Sequence, residues 1–71
     1  MIRLHHLSRD RDVFHLNPDL IERIEAHPDT MLTLTTGAKL AVDESVDEVV
    51  AKARDWRTQI AVNALKLAKQ G

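Results

Sequence analysis

Apolar and polar positions alternate through most of the first 42 residues and then change period. Ile2, Leu4 and His6 fall on one face of an extended segment, with Arg3, His5 and Leu7 on the other. Ser8-Arg9-Asp10-Arg11-Asp12 is a polar turn, and Val13-Phe14-His15-Leu16 resumes strand character, so the first 16 residues predict a hairpin. Its turn lacks glycine and is expected to be longer than a two-residue primed turn. Asn17-Pro18-Asp19 breaks the chain, because Pro18 offers no N–H to a ladder and holds Asn17 out of the helical region.

Leu20-Ile21-Glu22-Arg23-Ile24-Glu25-Ala26 fits two periods. Leu20, Ile21 and Ile24 suit a short helix, whereas Glu22, Ile24 and Ala26 suit strand alternation. Pro28 follows so closely that a short strand with an irregular start is preferred. Thr30 to Thr35 is a clearer strand, with Leu32 and Leu34 inward and Thr33 and Thr35 outward. Thr36-Gly37 supplies a tight turn, with the left-handed conformation open to Gly37, and Ala38 to Val42 returns with Leu40 and Val42 inward.

At Ser45-Val46-Asp47-Glu48 the signal becomes helical. Ser45 can accept from the Glu48 N–H while the Glu48 carboxylate reaches back, and the acids of the first turn suit the helix dipole. No Gly or Pro intervenes from Val46 to about Lys69, and Gly71 is read as closing the helix. The expected fold is therefore α+β: a small antiparallel β-meander of four to five strands, then one long C-terminal α-helix. A single domain covers residues 1–71, with the sheet in 1–42 and the helix in 45–70.

Helix length carries information. About 24 residues span ~36 Å, roughly twice the ~17 Å of a five-residue strand. Val46, Val49, Val50 and Ala53 can pack on the sheet, while Trp56, Ile60, Ala64, Leu65, Leu67 and Ala68 continue past it. Val46-Val49-Ala53-Trp56-Ile60-Asn63-Leu67 also steps by three and four as a coiled-coil seam does. Trp56, Ile60, Ala64, Leu65 and Leu67 are accordingly the candidate interface residues, through which a homo-oligomer is expected. Trp56 has two readings, as a cap on the core or as an interface anchor, and the second is favoured.

Composition narrows the chemistry. A 71-residue chain buries only about 60% of its unfolded surface, and with no Cys it has neither a disulfide nor a thiolate zinc site. Packing or self-association must supply the missing stability. No apolar run reaches the ~20 residues needed to cross a bilayer, and the first residues lack a signal-peptide core, so a cytoplasmic protein without a membrane span is expected.

The net charge of −1 conceals a strong asymmetry. Residues 12–48 carry nine acids against Arg23 and Lys39, whereas residues 49–71 carry Lys52, Arg54, Arg57, Lys66 and Lys69 against Asp55. An acidic sheet with a basic helical tail is not a nucleic-acid footprint over the whole domain, and the tail cations suit the helix's own dipole.

Of the four histidines, His5 and His6 are adjacent and point to opposite strand faces. His5 and His15 could meet across the hairpin, but no ligand set completes a tetrahedral site. The carboxylates, including Asp43, Glu44, Asp47 and Glu48, read as solvated faces and caps. Ser8 and Ser45 lie in a turn and a cap, there is no Gly-rich phosphate loop, and one Phe with one Trp makes no base-stacking platform. No catalytic residue, metal site or cofactor is expected, and the protein is read as a non-enzyme.

Three runs carry a family resemblance: NPDLIERIEAHPDT from Asn17 to Thr30, LTLTTGAK from Leu32 to Lys39, and VDESVDEV from Val42 to Val49. With Ile2-Arg3-Leu4, their order and spacing resemble the small flagellar and swarming motility proteins of the FlbD/SwrD type. That resemblance implies a non-enzymatic accessory of the flagellum that supports motor or stator function in swimming and swarming. It would act through protein–protein contacts at the cytoplasmic face of the motor, with motor or stator components as partners. Two departures stand out: Ser8 to Asp12 replaces the family's Asn-Gly-type turn, and the helix runs on where the family's often ends soon after Trp56. A weaker likeness, to LytTR-type DNA-binding domains, implies as alternative a small nucleic-acid-binding regulator or dimeric RNA binder. The region that would meet nucleic acid is the acidic segment, which repels phosphate.

Overall fold

In the computed structural model, which describes residues 1–70, the β-rich half holds five strands and a short 3-10 turn. Strands β1 (Ile2–His5) and β2 (Val13–Leu16) form an antiparallel hairpin, with Ile2 opposite Leu16 and His5 opposite Val13. Strands β3 (Ile21–Glu25), β4 (Thr30–Leu34) and β5 (Lys39–Val42) form an antiparallel meander. Helix α1 (Val46–Gln70) follows. The architecture is α+β, as the hydrophobic pattern predicts, with the strands divided between two small sheets.

The two sheets meet where β1 leaves its hairpin. His6 bridges Val42, the Leu7 N–H donates to the Ala41 carbonyl at 3.0 Å, and the Asp43 N–H donates to the His5 carbonyl at 2.9 Å. In space the strands therefore run β2-β1-β5-β4-β3. Laid flat, that order would put β2 and β3 about 19 Å apart. The chain joining Leu16 to Ile21 reaches ~17 Å at full extension, and Pro18–Leu20 is wound into a 3-10 turn with Asn17 as its cap. The sheets must curl toward each other, and that curl makes the core.

Leu4, Leu32, Val42 and Val49 are essentially inaccessible to solvent, with Ile2 and Leu16 beside them. Each such side chain contributes about 1.5–3 kcal/mol. Phe14, Ile21, Ile24, Leu34, Leu40 and Trp56 pack around this cluster. Val49 comes from the first turns of α1, so the helix closes the open side of the curled sheets.

Local chemistry explains three details. Ile21 and Ile24 are three apart, yet both turn toward the core, because the β3–β4 register shifts between Ile21 and Arg23. A bulge re-aims the side chains and resolves the helix-or-strand ambiguity of this segment. Between β4 and β5 the Gly37 N–H donates to Leu34, the Leu34 N–H donates to Ala38, and Gly37 has φ of 92°. This is a turn followed by a left-handed residue, which glycine adopts at little cost. The β1–β2 loop has no glycine, and Arg11 takes the positive φ of 48° instead.

Candidate protein contact surface

Helix α1 starts at its predicted cap. The Glu48 N–H donates to Ser45 Oγ at 3.1 Å, and the Ser45 hydroxyl donates to Glu48 Oε1 at 3.2 Å. The Glu48 carboxylate thus reaches back to the serine side chain, while Asp47 and Glu48 place negative charge at the positive end of the dipole.

Directly before the cap lies a residue that corrects the sequence reading. Glu44, expected on a solvated face, is only 7% exposed. Its Oε1 accepts from the His5 backbone N–H at 2.9 Å, and its Oε2 lies 2.7 Å from His5 Nδ1. An ionised carboxylate only accepts, so Nδ1 carries the hydrogen. Lys52 Nζ stands 3.9 Å from the same Oε2 and donates to the Arg3 carbonyl at 2.7 Å. Burial pushes the Glu44 carboxyl up, but the hydrogen bonds from the His5 ring and backbone outweigh it, and the group lies below the ordinary glutamate value. The cause of the burial is topological: β1 lies beside the end of β5, and residue 44 must turn inward to satisfy the His5 N–H. This knot fastens β1 to the start of α1.

Two of the four histidines have structural partners. His5 belongs to Glu44, and His6 stacks on Phe14 with ring centroids 4.1 Å apart. His15 stands opposite Arg3 rather than His5. Among the described residues, no group of three or more His, Asp or Glu converges on one point.

The helix divides at Trp56. On its N-terminal side, Val49 is buried, and Ala51, Lys52, Ala53 and Trp56 are half-buried against the sheets. From Arg57 to Ala68 every residue is exposed. These 12 residues project for ~18 Å at the helical rise, which accounts for the longest molecular dimension of 47 Å against 24 and 20 Å. Ile60 is 49% exposed, Leu65 63% and Leu67 70%. Ile60, Ala64 and Leu67 continue the stripe that packs Ala53 and Val49 about two and three turns before Ile60. Leu65 lies beside this stripe, next to Ala61 and Ala68. Trp56 packs against the core cluster, so it marks the boundary between the packed and the exposed halves of the helix. Asn63 accepts from Gln59 of its own helix at 3.3 Å. The Lys69 side chain and the Gly71 stop lie outside the described residues.

Both flanks of the packed half are open. One groove, of about 360 Å³, runs between α1 and the Pro18–Leu20 turn with β3, lined by Pro18, Ile21, Ile24, Val50, Ala53, Arg54 and Arg57. A second, of about 350 Å³, lies on the other flank between Met1–Arg3 and Trp56. Arg57 rests 3.6 Å from Asp19 at the end of the first groove. Sequence reasoning missed these groove residues. Their signal was the three-residue spacing of Ile21 and Ile24, which needs the bulge to be understood.

The family model for flagellar and swarming motility proteins, FlbD, matches residues 1–61. The chain belongs to this family. The matched span holds the whole FlbD β-region and α1 through Ala61, and it leaves Leu65 and Leu67 outside. No curated protein and no solved structure matches the chain significantly. FlbD membership implies a role in flagellar or swarming motility. Among the described residues no helix is long and apolar enough to cross a membrane.

Proposed function

We propose that this protein is a non-enzymatic flagellar accessory that supports motor or stator function in swimming and swarming, acting through protein–protein contacts of α1 at the cytoplasmic face of the motor. The observation that carries the reading is the exposure of every residue from Arg57 to Ala68 on a helix whose apolar stripe does not stop at Trp56. A helix with that stripe in water is incompletely packed, and association with its own copy or with a motor component completes it.

The regulator alternative is less well supported. Of the cations on the packed half of α1 and at its end, Lys52 donates to the Arg3 carbonyl and Arg57 faces Asp19, and the sheet beside them is acidic. Deleting the gene and scoring swimming, swarming and growth tests the proposal. Reduced motility with normal growth in liquid is expected, and wild-type motility in the deletion strain would refute it.

A further inference from the structure

The chain carries both a projecting arm and a groove of matching character, and we propose that the arm of one copy occupies the groove of a second. The pairing is antiparallel, about a two-fold axis that crosses the helices near Arg57. It rests on the reading that the protein acts through the projecting half of α1.

Three observations favour a second copy in this register. The first is the shared face. At 100° per residue, Val50, Ala53, Arg57, Ala61, Ala64 and Ala68 fall within one arc of the helix. The first three line the groove and the last three belong to the arm. A two-fold axis through that arc sets Ala61 against Ala53 and Ala64 against Val50 of the other copy. These small residues let the helices approach closely, and the flanking Ile60 and Leu65 reach the groove beside Ile21 and Ile24.

The second observation is charge. After Asp55 the arm contains Arg57, Lys66 and Lys69 and no acid, whereas the first turn of α1 bears Asp47 and Glu48; the groove's outer strand exposes Glu22 and Glu25 with Arg23 beside Glu25, and Arg54 stands at the groove's wall. Antiparallel pairing brings the cationic end of each arm to the acidic first turn of the other helix and opposes the two dipoles. Parallel pairing would set like ends together. Arg57, near the axis, already faces Asp19 of its own chain.

The third is area. A stable interface needs ~800 Å² from each partner. An arm ~18 Å long and ~10 Å wide offers far less when it meets only another arm. Arm-in-groove pairing occurs twice across the axis and adds the β3 wall to each contact.

Because the sequence has no Cys, engineered thiols report on register without background. Light scattering on the intact protein should give about twice the chain mass of 8.0 kDa. Mixing full-length Val50→Cys and Ala64→Cys chains under mild oxidation should then yield a disulfide-linked heterodimer that reductant dissolves. Ala64→Cys alone should not link, since its symmetry mate lies 14 residues away along the helix, about 21 Å, and a disulfide needs Cα atoms within ~7 Å. A monomer at micromolar concentration overturns the inference and removes self-association from the functional reading. A dimer in which Ala64→Cys links to itself, with no Val50–Ala64 product, overturns the groove docking alone and leaves self-association standing.

Discussion

Replacing Glu44 should reveal the knot that fastens β1 to the helix start. The carboxylate accepts from the His5 backbone N–H and faces the His5 ring while being 7% exposed itself. Hydrogen bonds to a charged group contribute about 1.5–3 kcal/mol each, and a donor left without its partner costs ~1–3 kcal/mol. His5 is itself 28% exposed, so water recovers part of the loss. Glu44→Ala should therefore cost about 2–3 kcal/mol, and Glu44→Gln, which keeps an acceptor for the N–H, about 1 kcal/mol.

A domain of this length is stable by ~4–10 kcal/mol, so the alanine variant should melt some 10–20 °C lower. The pH dependence has a definite sign. The folded-state pKa of Glu44 is lowered, so its contribution is complete above the unfolded value near 4.5 and is lost as pH falls through the folded value. The gap between wild type and Glu44→Gln should be full near neutral pH and close in acid. Urea unfolding followed by far-UV circular dichroism, repeated across pH, measures it. A cost below ~0.5 kcal/mol for Glu44→Ala, or a gap that widens in acid, would refute the reasoning.

Two other substitutions test the local arguments. Ser45→Ala removes the Oγ acceptor of the Glu48 N–H and should lower stability by about 1 kcal/mol in the same assay. Arg11 sits at positive φ and pairs with Asp43, so Arg11→Gly exchanges backbone relief for a surface ion pair and should change stability by less than ~1 kcal/mol. Arg11→Val loses the pair and crowds the left-handed backbone, and should cost ~1–3 kcal/mol.

Features that depend on neighbours in sequence were legible before the fold was known. Strand alternation around Leu32, the turn at Gly37, the Ser45 cap and the unbroken helix all follow from local rules, and each is found where those rules place it. The protrusion of the helix was legible too, from its length relative to the strands.

Features that depend on distant pairing were not. Nothing near Glu44 indicates burial, because its partner is 39 residues away and the burial follows from β1 lying beside β5. The junction of the two sheets likewise depends on the His6–Val42 bridge. Arg11 stayed hidden because the left-handed position in its loop is held by a residue that carries no turn signal. The groove beside β3 required the Ile21/Arg23 register shift, which period-two reasoning does not contain.

The central claim is that motility depends on the projecting half of α1, and a complementation experiment tests it most directly. The deletion strain should receive the intact gene or one encoding Ile60→Asp with Leu67→Asp, at matched protein levels. Both positions lie beyond the packed half, 49% and 70% exposed, so the variant keeps its folded domain, which circular dichroism can verify. The account predicts that the intact gene restores swarming and the folded variant does not. Full restoration by the variant would contradict it.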